Sequence, residues 1–428
     1  MPDWRTVQLH DVADIRVSNV DKKAVAGELP VKLCNYMDVY GNDYIRADLP
    51  FMEATATAVE IERFGVRRGD VMITKDSETP DDIGIPAVVT HDVDGLVCGY
   101  HLAQLRPRAG VVDPTYLAKQ LSLPATSAYF AQRATGSTRY GLSTRTIAQT
   151  PFRLAPLVEQ QRIAAILSSL DTAIEATEAL IEKHQQINAG LMHDLLTRGI
   201  SRSGQLRPRA TDAPELYRSV RDRLIPLDWH EVELQSVADV SRGKFTHRPR
   251  NDPRFLGGPH PFIQTGDIAA AAGDYLTAYS QTLSDLGASV SSRFPAGTVA
   301  VTIAANIADT AILSAPMFFP DSVVGVVVRP VADVRFIELC IRLSKPKLEA
   351  MAPQSAQRNI NLQDLRPLKV MLPPLAEQVA ISQRYEAALE QIRQLRAQRN
   401  KLHAQKQGLM QDLLTGKVRV PVPADASA

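Results

Sequence analysis

The chain has 428 residues, 45% of them hydrophobic and 22% charged, which excludes a wholly disordered or fibrous protein and suits roughly two to four globular domains. Its 48 basic and 47 acidic side chains leave a formal net charge of +1, so the chain lacks the overall positive charge of a protein that holds DNA unaided. Any nucleic-acid binding must therefore rest on local basic patches or on partner proteins.

Residues 1-155 are predicted to form a mixed α/β body. Short runs typical of strands, such as Val71–Thr74 and residues 87–90, alternate with Gly, Pro and Asn residues that favour turns. Pro114–Leu121 has the pattern of a helix. The order of the strands in a sheet does not follow from these patterns.

Residues 156-198 are predicted to form one long helix. From Ile163 onward, apolar side chains recur at alternating spacings of four and three without an intervening proline. This is the spacing of a coiled coil, so we expect a helix about 60 Å long, at ~1.5 Å per residue, that packs against another helix. An amphipathic helix that packs only on its own domain is the alternative. The predicted contact positions are Ile163, Leu167, Leu170, Ile174, Ile181, Leu191 and Leu195.

Residues 199-228 are predicted to form a linker. They contain Gly199, Gly204, Pro208, Pro214 and Pro226 together with several arginines. Glycine and proline at this density favour an extended connection over a packed element.

The second half of the chain repeats the first half. Pro-Leu-Val-Glu-Gln at 156–160 recurs as Pro-Leu-Ala-Glu-Gln at 374–378. Aligned without a gap, residues 156–197 and 374–415 are identical at 15 of 42 positions. Trp4 and Trp229, the two tryptophans of the chain, also lie at equivalent positions. The chain is therefore predicted to contain two copies of one unit, with a second mixed α/β body at residues 229-373.

Residues 374-416 are predicted to form the second long helix, followed by a tail at 417-428. Residues 158–198 carry a net charge of −3 (six acids, three bases), and residues 376–416 carry +2 (four acids, six bases). Because opposite charges disfavour pairing of like helices, we expect one antiparallel pair within the chain. Polar residues at the seam, Thr177, His184 and Asn188, could fix the register or face a partner. The second set of contact positions is Ile381, Tyr385, Ile392, Leu395, Leu402, Leu409 and Leu413.

The sequence contains no recognisable catalytic motif. A Gly-rich cofactor loop, an Asn/Asp-Pro-Pro-aromatic motif, a Walker A run, a Mg²⁺ carboxylate motif and a His-Glu-x-x-His zinc helix are all lacking. We therefore predict a non-catalytic chain without a metal or a cofactor of its own.

The cysteines and the apolar segments indicate the compartment. Cys34, Cys98 and Cys340 are widely spaced and outside any metal-binding pattern, so we expect reduced thiols. The first residues lack a secretory signal, and no segment is long and apolar enough to span a membrane. We expect a cytoplasmic protein without membrane contact.

Local polar segments in the two bodies are candidates for DNA contact. Residues 242–250 follow a predicted strand and hold cations suited to phosphate groups. Residues 139–140 and, 218 positions later, residues 357–359 supply planar polar side chains suited to contacts with bases. A solvated loop without a ligand is the alternative for each. The candidate DNA-binding residues are Arg139, Tyr140, Arg242, Lys244, His247, Arg248, Arg250, Gln357, Arg358 and Asn359.

Over essentially its whole length the chain resembles the specificity subunit of type I restriction-modification enzymes. The resemblance is carried by the two Pro-Leu-x-Glu-Gln motifs, the Leu-Met-x-Asp-Leu-Leu-Thr ends at 191–197 and 409–415, the Asp-Trp pairs at 3–4 and 228–229, and Pro-Phe-Ile-Gln-Thr-Gly-Asp-Ile at 261–268. The first body departs from the last motif, because residues 33–39 read Leu-Cys-Asn-Tyr-Met-Asp-Val.

The resemblance implies an α+β fold with two pseudo-symmetric mixed α/β target-recognition domains separated by two long helices that form an antiparallel coiled coil. It implies that each domain reads one half of a split site in double-stranded DNA, while the helices set the spacer and dock two methyltransferase subunits. Those subunits would carry S-adenosylmethionine, and separate translocase/endonuclease subunits would cleave DNA. A stand-alone coiled-coil scaffold or DNA-binding regulator is the alternative function.

Overall fold

A computed structural model of the chain describes residues 4–221, 223–247, 249–304, 306–352 and 359–421. The chain divides into two compact units, the first formed by residues 1–179 and 396–428 and the second by residues 180–395. Each unit contains a mixed α/β body and one part of each long helix. Within the described residues, no helix is long and apolar enough to cross a membrane.

The first unit is built around a five-stranded and a three-stranded sheet. In chain order its elements are β1 (Arg5–Gln8), α1 (Leu9–Val12), β2 (Ala13–Val17), β3 (Leu29–Cys34), α2 (Tyr36–Tyr40), β4 (Tyr44–Ile45), β5 (Met52–Ala56), α3 (Ala58–Phe64), β6 (Val71–Thr74), β7 (Asp76–Ser77), β8 (Pro86–Val89), β9 (Leu96–Cys98), β10 (Leu102–Pro107), α4 (Pro114–Leu121), α5 (Pro124–Ala131), β11 (Tyr140–Gly141), α6 (Thr144–Ala148), β12 (Pro151–Leu154) and the first part of α7 (Leu157–Thr197). The larger sheet has the order β2-β10-β6-β8-β4, with a parallel edge pair β8·β4, and the smaller sheet has the order β5-β3-β9.

Local sequence explains several of these elements. Strands β6 and β8 are buried along their whole length, as expected for apolar strands that are covered on both faces. Helix α3 begins after Thr57, whose hydroxyl accepts from the Glu60 N–H at 3.3 Å while the Glu60 carboxylate accepts from the Thr57 N–H at 3.0 Å. Helix α4 begins with the cap Asp113 and with Pro114 in its first turn.

The second unit has equivalent elements. After the last part of α7 come a short 3-10 helix (Pro214–Leu216), β13 (Tyr217–Val220), β14 (Arg223–Pro226), β15 (His230–Glu233), α8 (Leu234–Val237), β16 (Ala238–Arg242), a second 3-10 helix (Pro253–Phe255), β17 (Leu256–Phe262), α9 (Thr265–Ala271), β18 (Tyr275–Leu276), β19 (Gln281–Leu283), α10 (Asp285–Ser289), β20 (Arg293–Phe294), β21 (Val299–Thr302), β22 (Thr310–Leu313), β23 (Met317–Phe318), β24 (Val323–Val328), α11 (Val334–Leu343), α12 (Lys345–Met351), α13 (Leu362–Leu365), β25 (Lys369–Leu372) and the first part of α14 (Leu375–Leu414). The rest of α14 belongs to the first unit.

The two bodies share one topology. The second five-stranded sheet has the order β16-β24-β21-β22-β18, again with a parallel edge pair, and matches the first sheet strand for strand. The sheet β19-β17-β23-β20 contains the counterparts of β5-β3-β9, with the same antiparallel and parallel pairs, and adds β20. The repeat detected in the helix segments therefore extends through bodies whose sequences have diverged.

The glutamine of each Pro-Leu-x-Glu-Gln motif ties a long helix to its own body. Gln160 Oε1 accepts from the Asp113 N–H at 2.9 Å, and Gln378 Oε1 accepts from the Asp333 N–H at 2.9 Å. Asp113 and Asp333 are the N-caps of α4 and α11. Because both glutamines are buried, the motif fixes the place where each long helix leaves its body.

The long helices run antiparallel, as predicted from the seam spacing and from the opposite net charges. In the first unit, Ile163 near the start of α7 shares a core with Leu413 at the end of α14. In the second unit, Leu195 near the end of α7 shares a core with Ile381 near the start of α14. The predicted fold, two mixed α/β bodies with an antiparallel helix pair, is confirmed.

The seam positions differ in burial. Nine are buried, namely Ile163, Leu167, Ile174, Ile181, Leu195, Ile381, Tyr385, Ile392 and Leu413. Five are half-buried, namely Leu170, Leu191, Leu395, Leu402 and Leu409. Thr177 and Asn188 are also buried, and the Thr177 hydroxyl donates to the Ala173 carbonyl at 2.7 Å within its own helix.

Candidate nucleic-acid interface

In the second unit, three loops meet at one end of the five-stranded sheet. The Gly243 N–H donates to the Val323 carbonyl at 2.9 Å, and the Ile303 N–H donates to the Ser322 carbonyl at 3.1 Å. These bonds place the loop after β16, the turn after β21 and the turn before β24 side by side. We call the described residues of 242–250, 303–307 and 319–322, together with Asn359, the second sheet end.

The predicted basic loop 242–250 forms part of the second sheet end. Arg242 and Lys244 are exposed, and Arg250 forms an ion pair of 2.9 Å with Asp321 at a site where both side chains are about half exposed. Phe245, the aromatic residue of this loop, is buried against Phe262 and anchors the loop. Residue Arg248 lies outside the described residues.

His247 is held at the base of the same loop. Its ring stacks on Phe255 with 3.7 Å between ring centroids, and its Nε2 lies 3.2 Å from Asp252 Oδ2. Hydrogen bonds from the Arg254 side chain and backbone hold the pKa of Asp252 below its usual range. Asp252 is therefore ionised at neutral pH and orients the imidazole.

Asn359 also lies at the second sheet end. It forms an antiparallel bridge with Ala304, which belongs to the turn after β21. Its neighbours Gln357 and Arg358, also predicted to contact DNA, lie outside the described residues.

In the first unit, the candidate residues Arg139 and Tyr140 lie at the equivalent end of the five-stranded sheet. Tyr140 in β11 pairs with Ser77 in β7, directly after β6, and Gly141 pairs with Asp76. We call residues 75–85, 99–101 and 139–141 the first sheet end. Arg139 is exposed there and Tyr140 is half-buried. Gly141, which pairs with Asp76, and Asn359, which bridges to Ala304, are 218 residues apart and lie at equivalent positions in the two bodies.

A polar cluster at the first sheet end was missed in the sequence. The Asp76 carboxylate lies 3.0 Å from Lys75 Nζ and 2.9 Å from His101 Nδ1. The three side chains are 13–24% exposed, so they remain partly accessible. The signal in the sequence was weak, because Lys75 and Asp76 follow the apolar strand β6 whereas His101 precedes β10.

Two tyrosines of α2 extend this cluster. The rings of Tyr36 and Tyr40 stack with 5.4 Å between centroids, and the Tyr36 hydroxyl lies near Ser77. Burial raises the pKa of Tyr36, and the carboxylates of Asp82 and Glu78 raise it further. The Asp82 carboxylate raises the pKa of Tyr40 as well, so both phenols are neutral at physiological pH. Tyr36 is half-buried and Tyr40 is exposed, so the aromatic pair is partly accessible.

The divergent segments 33–39 and 263–268 are structurally equivalent. The Asn35 N–H donates to Asp38 at 2.7 Å, and the Gln264 N–H donates to Asp267 at 2.7 Å, so both form the same capping box. Helix α2 carries the half-buried Tyr36 and the exposed Tyr40, whereas α9 begins with Thr265 and Gly266. The backbone is thus conserved between the bodies while the accessible side chains differ.

Comparisons with known proteins agree with this architecture. The sequence matches the family described as type I restriction modification DNA specificity domain over residues 1–186 and 226–404. The chain belongs to this family. It is 23% identical over 432 residues to the type I restriction enzyme MjaVIII specificity subunit of Methanocaldococcus jannaschii, an alignment that covers 98% of this chain and 93% of the relative.

Solved structures of this family share the fold. The type I restriction-modification S subunit from M. genitalium matches with a TM-score of 0.57 at 14% identity, covering 96% of each chain. A structure described as "Structural basis underlying complex assembly and conformational transition of the type I R-M system" matches with a TM-score of 0.57 at 18% identity, covering 97% of this chain and 98% of that one. At such identities the likeness concerns the fold.

In this member of the specificity-domain family, accessible polar side chains lie at both sheet ends. Exposed cations such as Arg242 and Lys244 suit phosphate groups, and amide or hydroxyl groups such as those of Asn359 and Tyr140 suit base edges. Among the residues that the structure describes, no group of three or more His, Cys, Asp and Glu side chains could hold a metal ion.

Proposed function

We propose that the chain is the non-catalytic DNA-specificity subunit of a type I restriction-modification complex. In this proposal residues 1-155 and 229-373 are the target-recognition domains, and each reads one half of a bipartite site in double-stranded DNA. Residues 156-198 and 374-416 are the spacer helices, joined by the linker 199-228. Two methyltransferase subunits bind the chain and supply S-adenosylmethionine, and translocase/endonuclease subunits complete the complex.

The observation that carries this proposal is the pair of equivalent sheet ends with different side chains. The first sheet end presents Lys75, His101 and Tyr140 beside an aromatic pair, and the second presents Lys244 and Asn359. A purely structural repeat has no need of different polar groups at one accessible position. Two bodies that read different base sequences do need them.

The charge distribution supports a division of the binding energy among subunits. The net charge of +1 supplies little attraction to DNA, whereas the cations at the sheet ends can make a few phosphate contacts. Most of the sequence-independent affinity would then come from the partners, and this chain would contribute base recognition.

Exchange of one body tests the division of labour. Residues 1-155 are replaced by the corresponding body of a relative, and the methylated motif is mapped in genomic DNA before and after the exchange. We expect one half of the motif to change and the other half to remain. The reciprocal exchange of residues 229-373 is the matched control and should change the opposite half. A change in both halves after either exchange contradicts the proposal.

Co-purification tests the partners. The tagged full-length chain should retain a methyltransferase encoded with it, and the complex should methylate adenine in the mapped motif. A chain that binds its DNA motif alone and retains no methyltransferase would instead be a stand-alone regulator.

A further inference from the structure

A cleft of about 670 Å³ opens in the second unit. Its walls are the last turn of α7, the hairpin β13–β14, the end of α11 and strand β25. Its lining includes none of the described candidate DNA-binding residues. The lining includes six buried or half-buried apolar residues, which we call the floor: Leu196, Val220, Ile225, Leu343, Leu368 and Val370.

The rim of the cleft is basic. Arg221, Arg223, Lys347 and Lys369 face it, together with one acid, Glu231. Two of these cations have carboxylate partners, since Arg221 lies 3.3 Å from Glu231 and Lys369 lies 2.8 Å from Glu233. Arg223 and Lys347 are exposed, and within the described part of the chain neither has an ion-pair partner. Among the described residues, two cations without an ion-pair partner therefore lie above an apolar floor.

At the corresponding helix ends of the first unit, a side chain bridges α4 and α14. Gln120, in α4, donates from Nε2 to the Leu414 carbonyl at the end of α14, at 2.6 Å. Counting from the N-caps Asp113 and Asp333, its equivalent in α11 is Cys340, which lines the cleft beside Leu196. A thiol is shorter than an amide side chain and a weak hydrogen-bond donor, so it cannot span the same gap. The bridge that Gln120 makes in the first unit is thus replaced in the second unit by Cys340, which lines the cleft.

We propose that this cleft binds an acidic segment of a partner protein, with apolar side chains on the floor and carboxylates at Arg223 and Lys347. The carboxylates belong at the rim because the last carbonyls of α7 carry partial negative charge and would repel an anion placed deeper. A DNA backbone could also meet the two cations, but it has no apolar group to cover the floor. A protein segment satisfies both features.

The partner that suits the chain is the methyltransferase subunit, so this inference rests on the proposed function. Because Gln120 bridges the equivalent helix ends in the first unit, we expect the two methyltransferase copies to be bound unequally. The copy that contacts the second unit has an additional contact and should bind first.

The test is a charge reversal on the rim of the full-length chain. Arg223→Glu with Lys347→Glu is titrated with the purified methyltransferase subunit, and both binding steps are followed by calorimetry and sedimentation. We expect the tighter step to weaken by about tenfold or more, because like charges would then face each other, while the weaker step is unchanged. A second variant, Leu224→Ser, tests the apolar part of the cleft. Leu224 is exposed in the lining, so its replacement by serine should weaken the same binding step. The matched control is Lys32→Glu with Arg202→Glu, two exposed cations outside the cleft.

The possible outcomes separate this inference from the proposed function. If the wild-type chain binds methyltransferase in two steps and the variant binds it equally well, the cleft is not the docking site. If the variant binds methyltransferase normally but loses affinity for cognate and scrambled DNA alike, with a shallower salt dependence, the cleft contacts the DNA backbone instead. A wild-type chain that binds no methyltransferase would overturn both.

Discussion

Trp4 donates its indole N–H to Glu159, with 3.0 Å between Nε1 and Oε2, and the same carboxylate accepts two hydrogen bonds of 2.8 Å from Arg419. Glu159 is the glutamate of the first Pro-Leu-x-Glu-Gln motif, and its side chain is buried. Burial alone would raise the pKa of Glu159, but hydrogen bonds from Arg419 and Trp4 outweigh it and lower the pKa below its usual range. The ionised carboxylate joins the start of the body, the start of α7 and the residues after α14.

The second unit repeats this arrangement. Trp229 donates its indole N–H to Glu377 at 3.2 Å, and Arg207 Nη2 lies 2.9 Å from Glu377 Oε2. Arg207 follows α7 in the chain, as Arg419 follows α14. Each motif glutamate therefore binds the arginine that follows the other long helix, which explains why tryptophan and glutamate recur together in the repeat.

Removal of the Glu159 carboxylate should destabilise the first unit. Glu159→Ala leaves the Trp4 indole and the Arg419 guanidinium without their shared acceptor, and breaking a buried ion pair of this kind costs about 3 kcal/mol. We place the loss at the lower end of the usual range because Arg419 is 35% exposed. Urea unfolding followed by tryptophan fluorescence measures the free energy of unfolding.

The control for Glu159 is an exposed ion pair in the same body. Asp14 lies 3.3 Å from Arg108, and both side chains are about half exposed. Asp14→Ala should therefore cost less than about 1 kcal/mol. Equal losses in the two variants would show that the motif glutamate has no special structural role.

The helices could be predicted because their signal is local. A seam spacing of four and three recurs over several heptads, and each turn of helix repeats the information. The sheet order could not be predicted, since it depends on pairings such as Ala103 with Val17 that join distant parts of the chain. The sequence also contains no turn signal for the hairpin β13–β14, which lies within the predicted linker. Its turn contains Arg221 at a φ of 48°, a conformation that is usually marked by glycine or asparagine.

Asp171 should be the main electrostatic contact between the first body and the helix pair. Its carboxylate lies 2.8 Å from Lys119 Nζ and 2.6 Å from Lys406 Nζ, and it accepts a hydrogen bond of 2.6 Å from Tyr44. Because Asp171 and Lys119 are both almost fully buried, Asp171→Ala should lower the free energy of unfolding by about 3 kcal/mol. Lys119→Met with Asp171→Leu should recover much of the loss, since it removes both buried charges and leaves Asp43 paired with Lys406. A double variant less stable than the single variant contradicts this account.

The same cluster predicts a dependence of stability on pH. Burial would raise the pKa of Asp43, but Lys119 and Lys406 outweigh it and lower the pKa to about 2. A depressed folded-state pKa contributes stability above the unfolded-state value of ~3.9, and the contribution is lost as the pH falls through about 2.

Asp43→Asn is the variant that tests this pH dependence. The half-exposed carboxylate is screened by solvent, so the variant should lose roughly 1 kcal/mol at neutral pH. The difference from wild type should shrink between pH ~4 and pH ~2, as measured by urea unfolding across that range. A difference that stays constant with pH would mean that the charge of Asp43 is not the cause.

The second sheet end predicts two kinds of DNA variant. Asn359→Ala should cost about 1–3 kcal/mol on the cognate site and relax specificity at one base position, because an amide suits a base edge. Lys244→Ala should weaken cognate and scrambled duplexes alike and reduce the salt slope by about 1, because an exposed cation suits a phosphate. The measurement is affinity against salt concentration for both duplexes, with methyltransferase bound. If the two variants behave alike, the assignment of base and phosphate contacts is wrong.

The candidate interface could be predicted only where polar residues are neighbours in sequence. The loop 242–250 and the segments at 139–140 and 357–359 are visible as short runs. The Lys75, Asp76 and His101 cluster is assembled from the end of one strand and the start of another, which only the antiparallel register of β6 and β10 brings together. The ion pair between Arg250 and Asp321 could not be predicted either, because the two residues are 71 positions apart in the chain.

The helix pair should act as a ruler for the spacer between the two half-sites. Helix α7 passes from the first unit to the second after Ala179, and α14 passes back at Arg396. Seven residues inserted after Ala179 and seven inserted before Arg396 preserve the seam, because a whole heptad restores the same faces. The insertion adds ~10 Å at ~1.5 Å per residue, which is about 3 base pairs at ~3.4 Å per base pair and about a third of a turn of B-DNA.

The mapped motif should therefore keep both half-sites and gain a spacer about 3 base pairs longer, provided that the bodies follow the rotation of the duplex. Four residues inserted at the same two positions form the matched control, since they shift the seam out of register and should lower stability and methylation more than the full heptad does. Methylation mapping of genomic DNA measures the spacer, and urea unfolding measures stability. Retained methylation with an unchanged spacer would show that the helices do not set the distance between the half-sites.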